Sequence, residues 1–356
     1  MDSRLKPFID KALSRRTFLA GAGSVAAVGL MAGCSNDGTT TGGGGGGGGT
    51  GAYTDLDILN FALNLEYLEA QFYLYAATGK GLTAANTAAP TGYTGSYTMG
   101  TVTLGNSAMV AGTTSAQQQI INEIASEEQE HVQFLRAALG TAAVPMPSID
   151  LSFFGPLAVA AGIFTSAQPA FNPYSSFDAF LIGAFIFEDV GVTAYAGAAP
   201  LISAAGVASG LLNYAAGILA VEAYHAAYIR TALTGRAISM GATTPTSTVY
   251  PYVGIANQVE ALRATLTVGN SGAPGTSNTG NTGVAGSSGS VEVPLNVPQS
   301  PTQASAIVAA DSVHAIGFAR NVNQVHHIVY GSPTVGVAKG GFFPNGTNSI
   351  FSTTTA

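Results

Sequence analysis

Apolar residues recur at helical spacing in four long stretches of this chain. In the first, Leu59, Ala62, Leu63, Ala70 and Tyr73 stand three, four or seven residues apart, which places them on one helix face. Thr54 is suited to cap its start, and Gly79 follows its last residue, Thr78. The second stretch runs from about Ser115 to Leu139, with Ile120, Ile124 and Leu135 in register and Gly140 as its stop. The third starts near Ser176, just after Asn172-Pro173, and Pro200 ends it. The fourth covers roughly 206–233, with Gly235 beyond it. Four such helices predict an all-α, antiparallel four-helix bundle, and a shorter periodic stretch at 254–266 adds a fifth helix.

The intervening segments have their own patterns. In the insertion at 79–114, Tyr97 and Met99, then Val102 and Leu104, alternate around Gly100-Thr101, the signature of a small hairpin. Residues 267–301 form a linker whose Gly/Ser/Thr-rich part reads as disordered. From 302 to 330 the helical period returns through Ile307, Ala310, Ile316, Val322, Val325 and Val329, which predicts a C-terminal docking helix within a 302–356 tail.

Acids interrupt these apolar faces, and they carry the chemistry. Glu66 stands where the first stripe calls for leucine, and Glu188 does the same in the third. Glu128 and His131 lie on the second stripe, Glu222 and His225 on the fourth. The order is Glu, Glu-x-x-His, Glu, Glu-x-x-His, one set per helix, and Tyr73 and Tyr195 each follow a glutamate by seven residues. A buried unpaired carboxylate is costly. Four carboxylates balance two divalent cations, and an imidazole three residues from a glutamate reaches the same point; this matches the known di-iron carboxylate template. Glu69 is a competing ligand or a partly exposed acid, Glu123, Glu127 and Glu130 read as a solvated flank, and Asp189 as a partner for Arg230. His314, His326 and His327 read as polar residues of the docking helix, although Asp311 stands three positions before His314.

Composition removes other readings. Charged residues are only 9% of the 356 residues and the net charge is -7, so there is no basic stripe for nucleic acid. The third and fourth stretches are apolar enough to raise a membrane-spanning alternative, but Glu188-Asp189, Glu222 and His225 are costly inside a bilayer and expected in inner helices of a wrapped bundle. At the N-terminus, Ser14-Arg15-Arg16-Thr17-Phe18-Leu19 resembles a twin-arginine export motif within a 1–34 signal. Leu30-Met31-Ala32-Gly33-Cys34 resembles a lipobox, so membrane contact is expected only through the signal or a lipid anchor on Cys34; the alternative is an ordinary cleaved signal. Residues 35–52, eight consecutive glycines among them, form a flexible tether. The expected location is periplasmic or cell-envelope.

Leu59-Asn60-Phe61-Ala62-Leu63-Asn64-Leu65-Glu66-Tyr67-Leu68-Glu69-Ala70-Gln71-Phe72-Tyr73, then Glu127-Glu128-Gln129-Glu130-His131, then Gly340-Gly341-Phe342-Phe343-Pro344-Asn345-Gly346 resemble the ferritin-like proteins that include the plant desiccation-related proteins and their bacterial relatives. The resemblance covers 53–266 and returns in the tail. It implies a ferritin-like bundle with a long insertion, in which Glu66, Glu128, His131, Glu188, Glu222 and His225 are metal ligands and Tyr73 stands near the site. It further implies two iron ions, with manganese as the alternative, and oxygen or peroxide as partner in an oxidase or ferroxidase-like reaction. The rival reading is a non-enzymatic scaffold for desiccation or stress protection.

Overall fold

A computed structural model describes residues 53–105, 108–165, 171–268, 291–300, 302–303, 306–311 and 314–354. The expected export signal, lipobox and tether, and the low-complexity part of the linker, lie outside the described residues.

Each bundle helix is punctuated by the residues that its sequence offers. Helix α1, Asp55–Thr78, opens on a reciprocal capping box in which Thr54 Oγ1 accepts from the Asp57 amide and the Asp57 carboxylate accepts from the Thr54 amide; Gly79 ends it at φ 72°. Helix α2, Ser115–Leu139, has the same box between Thr114 and Gln117. Helix α3, Phe177–Ala198, is capped by Ser176. Helix α4, Leu211–Ser239, differs from the expected 206–233. Ser203 caps a separate short helix, Ala204–Ala208, and Gly210 at φ 87° breaks the chain between them. At the far end α4 continues through Gly235, because Arg236 is held by Asp178 and Ala237 is buried, contacts that outweigh about 1 kcal/mol of glycine penalty.

Helix α1 packs along α2, and α3 along α4; α1 and α3 cross at the centre. Helix α5, Tyr252–Val268, lies against α3 and α4, and helix α6, Val322–Val329, against α3 and α5. The stretch Phe177–Leu201 is long and apolar enough to cross a membrane, yet 89% of its apolar window is buried inside the fold, as an inner helix requires.

Two expectations fail on local physics. The hairpin around Gly100 does not form: β1, Val102–Thr103, pairs in parallel with β2, Ile149–Asp150. Gly100 lies so close to the Pro147–Ser148 backbone that a Cβ would stand 2.1 Å from the Ser148 nitrogen, so the strand finds its partner after α2. The tail helix is only Val322–Val329, opened by an Asn321–Gln324 capping box. Upstream, Asp311 accepts from the amides of His314 and Ile316 at 2.8 and 2.7 Å, a turn that competes with helix and overrides the apolar period.

The tail closes the bundle. Asn64 and Asn348 exchange side-chain to backbone hydrogen bonds of 3.0 and 2.8 Å, and Phe342 packs on Phe153, Phe154 and Phe187 with centroids 5.0–5.1 Å apart. Gly341, at φ 53°, passes so near Val329 that a Cβ would meet its carbonyl at 2.4 Å. A buried ion network ties the same layers. Asp189 accepts from Arg230 at 2.9 and 2.7 Å and from Arg263 at 2.9 Å, and Glu292 accepts from Arg263 and Arg320. Burial pushes the Asp189 carboxyl up, but Arg230 and Arg263 hold it below its ordinary range.

Glu260 sits beside this network with Oε1 unpartnered. Burial, then repulsion from Glu292, pushes its pKa up to about 7. An acid raised on folding carries no penalty below pH 4.5; the penalty grows as pH rises from 4.5 to about 7 and is complete above that. Glu260→Gln should therefore leave stability unchanged at pH 4 and raise it by about 2–3 kcal/mol at pH 8. Urea unfolding at the two pH values measures this; equal effects at both would contradict it.

Candidate metal centre

The central turns of α1 to α4 bring together all six residues that the sequence singles out. Glu66 comes from α1, Glu128 and His131 from α2, Glu188 from α3, Glu222 and His225 from α4, and all six are buried. They form two overlapping groups. One donor atom each from Glu66, Glu128, His131 and Glu222 lie within 4.8 Å of one another, as do donor atoms from Glu128, Glu188 and His225. Glu128 is common to both.

The distances describe convergence, not pairing. His131 Nδ1 stands 3.3 Å from Glu66 Oε2, 3.4 Å from Glu128 Oε2 and 3.6 Å from Glu222 Oε1. His225 Nδ1 stands 3.1 Å from Glu128 Oε1 and 3.5 Å from Glu188 Oε2. None of these contacts has hydrogen-bond geometry. Eight atoms of the six side chains, Glu66 Oε2, both oxygens of Glu128 and of Glu222, Glu188 Oε2, His131 Nδ1 and His225 Nδ1, are buried without a hydrogen-bond partner among the described residues. Native interiors rarely leave such groups orphaned. Oxygen and imidazole donors aimed at two shared points are suited to a pair of divalent ions.

The remaining oxygens are fixed. Tyr73 on α1 donates to Glu188 Oε1 on α3, and Tyr195 on α3 donates to Glu66 Oε1 on α1, so each glutamate has one oxygen held and the other turned inward. Tyr73 thus stands beside the cluster, as expected, with Tyr195 as its counterpart. Burial, then the neighbouring carboxylates, keep both phenols protonated.

Other residues depart from their expected places. Glu69 is buried and belongs to neither group; its Oε1 lies 3.3 Å, and Glu222 Oε2 2.3 Å, from the point where a Gly191 Cβ would stand. Gly191 is therefore needed to leave room for Glu222. Glu127, expected on a solvated flank, accepts a 2.7 Å hydrogen bond from His225 Nε2. No periodic signal marks Glu127, since it faces across to α4 from the edge of its own helix. Asp189 does pair with Arg230, and also with Arg263. His314 is exposed beside Asp311, while His326 and His327 are buried in the tail, His326 edge-on to Phe61 and stacked on Tyr330.

Proton affinities follow from this crowding. Burial, then the surrounding carboxylates, push Glu69 and Glu222 well above the ordinary range. Glu128 is held down to about 2: burial opposes, but the two imidazoles prevail. Burial lowers His131 and His225, but the carboxylates raise them to about 11 and about 12. Glu66 acts most strongly on His131 and Glu188 on His225, and Glu128 is the carboxylate common to both imidazoles and the one held lowest. In chelator, Glu128→Gln should cost about 3–5 kcal/mol, as breaking a buried pair does, whereas Glu222→Gln should stay within about 1 kcal/mol. Urea unfolding ranks the two, and the reverse order would contradict this charge assignment.

Comparison with known proteins agrees with this architecture. The family model described as a ferritin-like domain matches residues 54–235, which hold all four bundle helices up to the last turn of α4. A desiccation-related protein of Craterostigma plantagineum, PCC13-62, is 32% identical over 185 residues, 52% of this chain and 54% of that protein, so the match spans about half of that relative's length. A ferritin-like catalase of Nesocodon mauritianus, Nec2, is 26% identical over 294 residues, 83% of each chain. With its four helices, its inward carboxylates and a family match over half its length, the chain belongs to the ferritin-like family.

Proposed function

We propose that the cluster holds two divalent ions, iron or manganese, and that the protein is an exported enzyme that consumes hydrogen peroxide. The observation that carries this reading is the convergence of eight buried, unpartnered donor atoms on two points. Glu66, Glu128, His131 and Glu222 would hold one ion, and Glu128, Glu188 and His225 the other, with Glu128 between them. When bound, such a pair supplies the redox capacity to turn two H2O2 into two H2O and O2.

The chain's own residues shape the site for this. Tyr73 and Tyr195 fix Glu188 and Glu66, so the inward oxygens lose little freedom on binding. Helices α2 and α4 diverge around a cavity of about 300 Å³ lined by Glu123, Glu127, Tyr224, His225 and Tyr228. Tyr224 is 74% exposed, so the cavity meets solvent and gives a small molecule a path to the His225 side. The opposite face, around Glu69, is covered by Ile328, Val329 and Phe342 of the tail. The relative named a catalase aligns over most of both chains, which favours peroxide over Fe(II) as substrate. Arg15-Arg16 supports export of the folded chain.

The desiccation-related relative favours a second reading, a scaffold in which protonated imidazoles balance the acids. One experiment separates the two. Protein produced with iron or manganese should carry close to two ions per chain and release O2 from H2O2. Its stability should fall in chelator by about 3–4 kcal/mol, as loss of a ligand at a hundred to a thousand times its Kd implies. Glu128→Gln with Glu222→Gln should abolish the metal pair and turnover. No metal under either supplement would leave the scaffold, and full turnover in the double variant would contradict this ligand assignment.

A further inference from the structure

The bundle is built from two like halves, and their departures from likeness are informative. Glu66, Glu69 and Tyr73 of α1 correspond by spacing to Glu188, Gly191 and Tyr195 of α3; Glu127, Glu128 and His131 of α2 correspond to Val221, Glu222 and His225 of α4. Glu66, Glu128, the histidine and the tyrosine repeat. Glu69 does not, its counterpart being Gly191, and neither does Glu127, whose counterpart is Val221.

That difference reaches only one imidazole. His225 Nε2 is 2.7 Å from Glu127 Oε2. A carboxylate oxygen accepts, so Nε2 donates to Glu127, and Nδ1 is the ring atom that faces Glu128 Oε1 and Glu188 Oε2 and would give up its proton to a metal. The carboxylates around His131 all lie at Nδ1, and among the described residues no side chain stands behind its Nε2 as Glu127 does behind that of His225. Such a carboxylate behind a ligating histidine orients the ring and raises its basicity.

We propose that Glu127 is a positioning residue that acts through His225 alone, so that the two metal subsites are unequal. Tyrosines hold a glutamate in each subsite, but only in the Glu128–Glu188–His225 subsite is the imidazole held by a side chain as well; in the Glu66–Glu128–His131–Glu222 subsite it is not. This rests on the metal-pair reading above and adds the claim that the two ions bind by separable steps, one of which depends on Glu127. The same carboxylate lines the cavity between α2 and α4, which places the His225 subsite on the side open to solvent.

Co(II) titration of the full chain, followed by visible absorption, tests this without turnover. Wild-type protein should take up two Co(II). Glu127→Val, which makes the halves alike, should weaken one step by about 10–100-fold, shift its absorption band and leave the other step unchanged. The affected step should be the one that Glu188→Gln weakens and Glu66→Gln spares. Glu127→Gln keeps an acceptor for Nε2 and should recover most of the loss. The Glu127 side chain is 40% exposed, so the metal-free variants should melt with the wild type, and that comparison sets misfolding apart. The inference is overturned if Glu127→Val moves both steps equally or moves neither while wild type still binds two ions. Wild-type protein that takes up no Co(II) would fail earlier, at the metal reading itself.

Discussion

Five glutamates and two histidines share the interior of a bundle whose core is otherwise mostly apolar, and the cost of that burial governs the rest of the molecule. Charge of one sign cannot be enclosed at this density without a compensating cation or bound protons. The helices must therefore be held firmly enough that the inward oxygens neither turn to solvent nor collapse onto each other. Two devices meet this need. The crossed tyrosines, Tyr73 to Glu188 and Tyr195 to Glu66, tie the two halves together at the cluster itself. At the residue after Glu188, Asp189 is clamped by Arg230 and Arg263, which fixes α3 against α4 and α5.

The tail and fifth helix belong to the same economy of burial. Helix α1 is covered on nearly every side, which a four-helix bundle alone does not provide. Asn348 pairs with Asn64, Phe342 fills the aromatic group between α3 and the Phe153–Phe154 turn, and α6 covers the face near Glu69. Among the described residues the wider approach to the cluster is therefore the cavity between α2 and α4 beside Glu127 and His225, while the tail packs over Glu69 and leaves only a small pocket there.

The bundle was legible in the sequence because helix ends and inward faces are local properties. Thr54, Ser176, Gly79 and Gly140 mark boundaries by their own chemistry, and Glu66, Glu128, Glu188 and Glu222 stand out because each breaks an apolar stripe. What depends on contacts between distant segments was hidden. Gly100 against Ser148 decides the pairing of β1, Arg236 on Asp178 carries α4 past Gly235, and the turn at Asp311 shortens the tail helix. In the cluster, the roles of Glu127 and Gly191 follow from which helix faces them. The seven-residue alignment of Glu66 and Tyr73 on Glu188 and Tyr195 would have exposed Gly191 as the partner of Glu69.

The central claim is that this cluster is a two-metal site, and diffraction from crystals of metal-loaded protein at the iron and manganese absorption edges tests it most directly. The account predicts two anomalous peaks about 3.5–4 Å apart, enclosed by Glu66, Glu128, His131, Glu188, Glu222 and His225, with Glu128 touching both. A cluster with no anomalous peak, its carboxylates turned onto the imidazoles instead, would contradict it.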